Sequence, residues 1–245
     1  MRLYIIGAGI NGISQITPET TRILKHCHSI FVLNPYTKVL DFVRKTNPSA
    51  KVIDCSCYYD GVEKRPEVYQ RISNDIIKEC KQHPYASIAF LTYGHPLFLV
   101  SASEKMVEAS RLEGIAVKVY PAVTSLDTVI ADLQIEIGYC FSVFDATLVI
   151  KNNVKLDTSI PVFIFQMANL FDDSVQKDWI SYEKLTPLRD HLLKYYNPEH
   201  EITLIVSSHD TLFDPLINRV KMKDLCECDF PSLKDRPTLF IPEHQ

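Results

Sequence analysis

Between Leu3 and Tyr120 short apolar runs alternate with longer amphipathic ones, and this alternation restricts the fold more than any other feature of the chain. Leu3 to Ile6, Ser29 to Leu33, Lys51 to Asp54, Ala86 to Thr92 and Ile115 to Tyr120 read as strands. Pro18 to Cys27, capped by Thr17 with proline in its first turn, reads as a helix, as do Val39 to Arg44, Pro66 to Gln82 and Ser103 to Leu112. In the longest of these, Val68, Ile72, Ile76 and Cys80 recur every fourth residue and form one apolar stripe. Strand, helix and strand repeated in this way predict a parallel sheet covered on both faces, because parallel neighbours need a long crossover. After Pro121 the pattern changes. A helix is predicted from Leu126 to Leu133, with strands near Phe141 to Phe144, Thr147 to Ile150 and Val162 to Gln166. Beyond them come a helix near Leu188 to Tyr196 and strands at Ile202 to Ser207 and Thr238 to Ile241. The expected class is therefore α/β in two lobes: residues 1–120 with a parallel sheet and residues 121–245 with a mixed one. Open α/β sheets bind ligands at the carboxyl ends of their strands, which directs attention to the cleft expected between the lobes.

Three motifs lie at predicted strand ends. Gly7-Ala8-Gly9-Ile10-Asn11-Gly12 matches the G-x-G-x-x-G string that seats a pyrophosphate on a helix N-terminus. Here the helix begins several residues later, at Thr17-Pro18, and no acidic residue closes the second strand near Val32-Leu33. Two readings are left, a loop that lets a ligand approach the backbone or a simple tight turn. Leu91-Thr92-Tyr93-Gly94-His95-Pro96 closes the most apolar strand and reads either as a functional turn or as a Gly-x-Pro turn with a satisfied histidine. Cys57-Tyr58-Tyr59-Asp60-Gly61 precedes the longest helix, at whose start Arg65 and Tyr69 stand i and i+4 on one face. A guanidinium beside a phenol favours the phenolate and so can turn a tyrosine into a proton acceptor. The plainer reading is an exposed helix face.

Composition removes several function classes. With 46% hydrophobic and 23% charged residues the chain is too apolar for disorder. A formal charge of -4 offers no broad basic surface, so nucleic acid is not an expected partner. No run approaches the ~18 apolar residues of a membrane span, and Met1-Arg2 leads straight into Leu3, so no membrane contact and a cytoplasmic setting are expected. Seven cysteines (Cys27, Cys55, Cys57, Cys80, Cys140, Cys226, Cys228) form no pair of C-x-x-C knuckles, and reduced thiols are expected. His26-Cys27-His28 invites a metal assignment, but neighbours on a helix point apart and no second ligand cluster has matching spacing, so no metal site is expected.

Taken together, Tyr4-Ile5-Ile6-Gly7-Ala8-Gly9-Ile10, Tyr120-Pro121-Ala122-Val123-Thr124-Ser125 and the strand order between them resemble the tetrapyrrole-methylase family. Within it, Tyr58-Tyr59-Asp60, Arg65, Tyr69, Tyr93-Gly94-His95-Pro96, Ala131-Asp132-Leu133, Phe165-Gln166 and Phe240-Ile241-Pro242 resemble the borosin-type α-N-methyltransferases, which methylate backbone amides of ribosomally made peptides. The resemblance runs from about Arg2 to Pro242. It implies a two-lobed fold with S-adenosylmethionine held between the lobes and S-adenosylhomocysteine as product. It implies Arg65, Tyr69 and Tyr93 as the catalytic group, with Tyr59 near the substrate amide. Tyr93, His95, Phe98, Thr124, Ser125, Gln166, Ser207 and Thr238 would line the cofactor pocket, several through backbone groups. A homodimer is also implied. Because Ile241-Pro242-Glu243-His244-Gln245 comes directly after the last predicted strand, the substrate is expected to be a separate precursor peptide. The chain departs from the pattern at Ala122 and Leu97, where glycine is usual, and at Ser56, where tyrosine is common. Two other functions compete: a small-molecule methylase acting on a tetrapyrrole-like carbon, and a catalytically weak cofactor-binding module that recognises a peptide and regulates.

Overall fold

The computed structural model describes residues 2–34, 36–59, 61, 63–174, 180–228, 230 and 233–244. The chain divides into two compact units, Met1–Thr128 with His209–Phe213, and Val129–Ser208 with Asp214–Gln245.

In the first unit β1 (Arg2–Gly7), α1 (Pro18–Leu24), β2 (Ser29–Leu33), α2 (Thr37–Thr46), β3 (Lys51–Asp54), α3 (Arg65–Gln82), β4 (Ser87–Thr92), α4 (Ser101–Leu112) and β5 (Ala116–Val119) alternate along the chain. The sheet runs β3-β2-β4-β1-β5, and all its pairings are parallel. The two-residue period of each strand sorts its side chains onto two apolar faces. Leu3, Ile5, Phe31, Ile88 and Phe90 pack with Val68, Ile72 and Ile76 of α3 and Met106 of α4. Ile6, Ile30, Val32, Ala89 and Leu91 pack with Ile23 and Leu24 of α1 and Val39 and Val43 of α2. Each of these side chains except that of Ala89 contributes about 1.5–3 kcal/mol by leaving water, which makes both faces structural and leaves chemistry to the edges of the sheet. The Thr17 hydroxyl oxygen accepts the Thr20 N–H at 3.0 Å, as its cap position requires. α1 stops at Leu24 rather than Cys27 because the Asn47 side-chain amide donates to the carbonyls of Leu24 (2.8 Å) and Cys27 (2.9 Å), supplying the partners a further turn would have provided.

α5 (Ser125–Leu133) begins in the first unit and ends in the second. The second unit continues with β6 (Ser142–Asp145), α6 (Ala146–Lys151), β7 (Val162–Phe165), α7 (Thr186–Leu192), β8 (Glu201–Val206), β9 (Leu216–Lys221) and β10 (Thr238–Ile241). Its sheet runs β6-β7-β10-β8-β9, parallel between β6 and β7 and antiparallel elsewhere. Val162, Ile164, Ile202, Leu204, Leu239 and Ile241 point into a core with Leu185, Leu188, Leu192 and Tyr196. The intervening residues Phe163, Thr203, Ile205, Thr238 and Phe240 line the opposite face, where the Phe163 and Phe240 rings lie 5.0 Å apart.

One expectation is corrected, and one strand lies outside the expectations. Thr147 to Ile150 is not a strand but the body of α6, because the Asp145 carboxylate accepts the Thr147 (2.8 Å) and Leu148 (3.1 Å) N–H groups and caps a helix there. The β-branched composition favours a strand, and the cap overrides it. β9 carries no clear strand signal because Leu216-Ile217-Asn218-Arg219-Val220-Lys221 is a polar edge strand that, among the described residues, pairs only with β8. Among the described residues no helix is long and apolar enough to cross a membrane.

Candidate active site

A parallel sheet delivers every strand's carboxyl end to one edge, and in the first unit these ends are tied together by backbone. Ala8 donates to Thr92 O (2.9 Å), Tyr93 to Leu33 O (3.1 Å) and Gly94 to Gly9 O (2.9 Å). The chains meet so closely that a Cβ on Gly7 would collide with the Gly94 carbonyl oxygen and come within 2.6 Å of the Ala122 Cβ. Gly94 itself turns at φ +69°, a conformation that favours glycine. The alanine at position 122 is thus accommodated by the missing side chain of Gly7. Residues 10–11 are folded by one side chain: Gln15 Oε1 accepts from Ile10 N (2.7 Å) and Asn11 N (2.9 Å). The next element is a 3-10 turn, Gly12–Gln15, and α1 begins only at Pro18, so no α-helix opens at the third glycine.

Beside this backbone cradle stands an aromatic group that local sequence does not disclose. Tyr36 stacks on His209 (centroids 4.6 Å apart, 6° between planes) and meets Tyr93 edge-on at 5.7 Å. Lys38 pairs with Asp210 at 3.1 Å and holds the same segment. Only the return of residues 209–213 to the first unit brings His209 here, and no spacing in the sequence signals it. His95 is half-buried, and its Nδ1 accepts the Leu97 N–H at 3.1 Å. Leu97 is 51% exposed, which makes that departure from the family pattern a surface one.

α3 carries the chain from β3 back to β4, so its first turns stand at the carboxyl edge and its last turn at the amino edge. Arg65 opens it and Tyr69 stands one turn on, both half-buried. Tyr58, Tyr59 and Tyr69 pack against the core that α3 and α4 share. An Arg-over-Tyr arrangement is formed by another pair further along the helix: the Arg71 guanidinium lies 5.2 Å from the centre of the Tyr58 ring and donates to Tyr58 O at 2.8 Å. Arg71 also pairs with Glu63 at 3.2 Å, and the Tyr58 hydroxyl donates to Asp75 Oδ2 at 2.6 Å. Burial, reinforced by the Asp75 carboxylate, pushes the Tyr58 phenol well above its ordinary range. Tyr58 is therefore a fixed donor. Tyr59 donates its N–H to Ser56 O at 3.1 Å, and Asp60 lies outside the described residues.

The remaining sequence-predicted residues divide by unit. In the first, Thr124 and Asp127 cap α5 reciprocally: Asp127 Oδ2 accepts from Thr124 N and Oγ1, both at 2.7 Å, and Thr124 Oγ1 accepts from Asp127 N at 3.0 Å. The Thr124 side chain is thus committed to the helix, and Ser125 O accepts the Thr128 hydroxyl at 2.9 Å. In the second, Gln166 leaves β7 in the left-handed region at φ +62° and bonds Asn169 with its side chain. Thr238 pairs with Ile205 on the face opposite the core, and Ser207 extends the same alternation beyond β8. Ser207 Oγ and Asp132 Oδ2 are buried without a hydrogen-bond partner among the described residues, as are Asn11 Oδ1 and Asn34 Nδ2 in the first unit.

Several known proteins are similar to this chain. A family model described as Tetrapyrrole (Corrin/Porphyrin) Methylases matches residues 2–205. A relative from Mycena rosella, named as a methyltransferase/ribosomally synthesized type I borosin cyclic peptide precursor, is 29% identical over 203 residues, covering 82% of this chain and 49% of that one. The methyltransferase/omphalotin A precursor of Omphalotus olearius is 23% identical over 249 residues, covering 98% and 57%. The chain thus spans about half the length of these curated relatives. Among solved structures, a uroporphyrin-III-C-methyltransferase from Thermus thermophilus superimposes with a TM-score of 0.68 at 18% identity, over 99% of this chain and 94% of that one. A structure of the enzyme of that name from the same organism, complexed with S-adenyl homocysteine, gives 0.64 at 14% identity, over 100% and 98%. With a two-sheet α/β architecture of this kind and a family match over most of its length, the chain belongs to the tetrapyrrole (corrin/porphyrin) methylase family.

Proposed function

We propose that the protein is an S-adenosylmethionine-dependent methyltransferase that N-methylates backbone amides of a peptide supplied as a separate chain. The observation that carries this reading is that Arg65, Tyr69, Tyr59 and Tyr93 stand on segments that leave or re-enter the carboxyl edge of one sheet, the edge that also carries the backbone cradle of Gly7, Gly9 and Gly94. The borosin precursors it matches supply the substrate class. Supply of the peptide on a second chain is part of the proposal and is tested by adding it.

The residues present fit the cofactor. Buried polar atoms without partners cost about 1–3 kcal/mol each, and in the first unit Asn11 Oδ1 and Asn34 Nδ2, which have none among the described residues, offer that energy to a ligand carrying hydroxyl, ammonium and carboxylate groups. The family resemblance assigns its holding to Tyr93, His95, Phe98, Thr124 and Ser125 in the first unit and to Gln166, Ser207 and Thr238 in the second, several through backbone groups. S-adenosylmethionine supplies a methyl carbon on a sulfonium, which needs only an in-line nucleophile and the exclusion of water.

An amide nitrogen is a poor nucleophile because its lone pair is shared with the carbonyl. As the N–CH3 bond forms, the N–H proton must leave and charge gathers on the carbonyl oxygen. Arg65 and the Tyr59 hydroxyl stabilise that oxygen, and Tyr69 or Tyr93 takes the proton directly or through water. Tyr58 has no part in that transfer, because its proton is committed to Asp75.

The test is release of S-adenosylhomocysteine by the purified protein when the peptide encoded beside its gene is added. Release that depends on the peptide supports the reading. Release only with a tetrapyrrole, or cofactor binding without release, overturns it in favour of a small-molecule methylase or a regulatory module. The same reading takes the protein to be a homodimer, for which light scattering should give twice the chain mass.

A further inference from the structure

At the amino edge of the parallel sheet, the end away from the glycine cradle, the fold gathers a second set of ligating groups. His28 immediately precedes β2 and is pinned by backbone bonds to both neighbouring strands, donating to Ser87 O (2.8 Å) and accepting from Lys51 N (2.9 Å). Glu79 sits on the last turns of α3 with only 5% of its surface exposed, and His83 stands four residues later at the helix end, on the same face. The two imidazole rings lie 4.3 Å apart, and His83 Nε2 is 3.7 Å from Glu79 Oε1.

We propose that His28, Glu79 and His83 form a binding site for a divalent transition-metal ion of the zinc class, with water completing the coordination. One ligand atom from each of the three lies within 4.8 Å of the others. A tetrahedral ion with bonds of about 2.0–2.2 Å needs them about 3.3–3.6 Å apart, a closure that rotation of the exposed His28 ring and the half-buried His83 ring can supply. Glu79 is prepared for the role. The Ser29 hydroxyl donates to its Oε1 (2.6 Å) and the Lys51 ammonium to its Oε2 (2.9 Å), which fixes the orientation of the carboxylate. A buried carboxylate oriented by a second hydrogen bond is what a metal ligand requires. The set is one of nitrogen and oxygen donors, because the thiols of Cys27 and Cys80 are buried in the two apolar faces of the sheet.

Lys51 is the group that opposes the ion, because its charge already serves Glu79 Oε2. Its side chain is 59% exposed and can swing into solvent. The sequence neighbours of His28 offer no second ligand, which is why no metal site is expected from the sequence; the fold supplies both partners from a helix remote along the chain. A metal there would staple the start of β2 to the end of α3, away from the proposed chemistry.

The experiment is titration of the chelator-treated full chain with Co2+, read by visible absorption and by thermal melting. The expected result is d–d absorption that saturates at one equivalent, no sulfur-to-cobalt band in the near ultraviolet, and a raised Tm. Both signals should vanish in His28→Ala/His83→Ala, whose side chains carry none of the core. Absent d–d absorption, absorption that survives the double substitution, or a sulfur band from the exposed Cys57 or Cys140 would overturn the assignment.

Discussion

The two sheets contain the same number of strands but place their polar groups differently. In the parallel sheet both faces are buried under helices, and polarity is expelled to the edges: Tyr93, Arg65 and Tyr69 at the carboxyl edge, His28, Glu79 and His83 at the amino edge. In the mixed sheet one face is core, and the other carries Thr203 and Thr238 among Phe163, Ile205 and Phe240. The first arrangement separates chemistry from packing. The second mixes them, because a residue positioned to meet a ligand there also lies in the wall of the sheet.

The largest expected effect tests that separation. Arg65→Ala and Tyr69→Phe should each lower methyl transfer about 10²–10³-fold, as removal of an oxyanion donor or a proton acceptor does, while Tm stays unchanged. A matching fall in Tm would mean that the edge is structural after all. Ser207→Ala probes the mixed sheet. Because Ser207 Oγ is buried without a partner among the described residues, its removal should stabilise the ligand-free protein by about 1 kcal/mol and weaken cofactor binding several-fold, two opposed changes readable by melting and calorimetry.

Smaller still is Tyr58→Phe, which removes one bond to Asp75 but leaves Arg71 paired with Glu63. It should cost about 1 kcal/mol by denaturant titration and leave turnover within a few-fold. The smallest effect concerns acid. Burial raises Asp172, but Ser174 and the Lys184 ammonium at 3.1 Å outweigh it and hold it at about 2. A carboxyl held below its unfolded value of ~3.9 contributes stability above that pH and loses it as pH falls through the folded value. Asp172→Asn should therefore lower Tm at neutral pH, and the gap should close between about pH 4 and pH 2. A gap that persists at pH 2 would place the effect in packing instead.

Legibility in the sequence divides along the same line. The parallel strands and their crossover helices are legible because each crossover is local and each apolar period declares its own element. The turn from Tyr93 to Pro96 and the i, i+4 placement of Arg65 and Tyr69 are legible for the same reason. α6 is not, because one capping carboxylate, Asp145, decides it against a run of β-compatible residues. Partners brought from distant segments are also hidden: His209 on Tyr36, Arg71 over Tyr58, and Glu79 with His83 beside His28. Local pattern says which face a residue takes, whereas only the completed fold says what meets it.

Methylation of a peptide backbone is tested most directly by fragment mass spectrometry of the peptide after incubation with the protein and S-adenosylmethionine. Added methyl mass is predicted on backbone amide nitrogens, abolished in Arg65→Ala and Tyr69→Phe. Methyl mass confined to side chains, or an unmodified peptide alongside saturable cofactor binding, would contradict it.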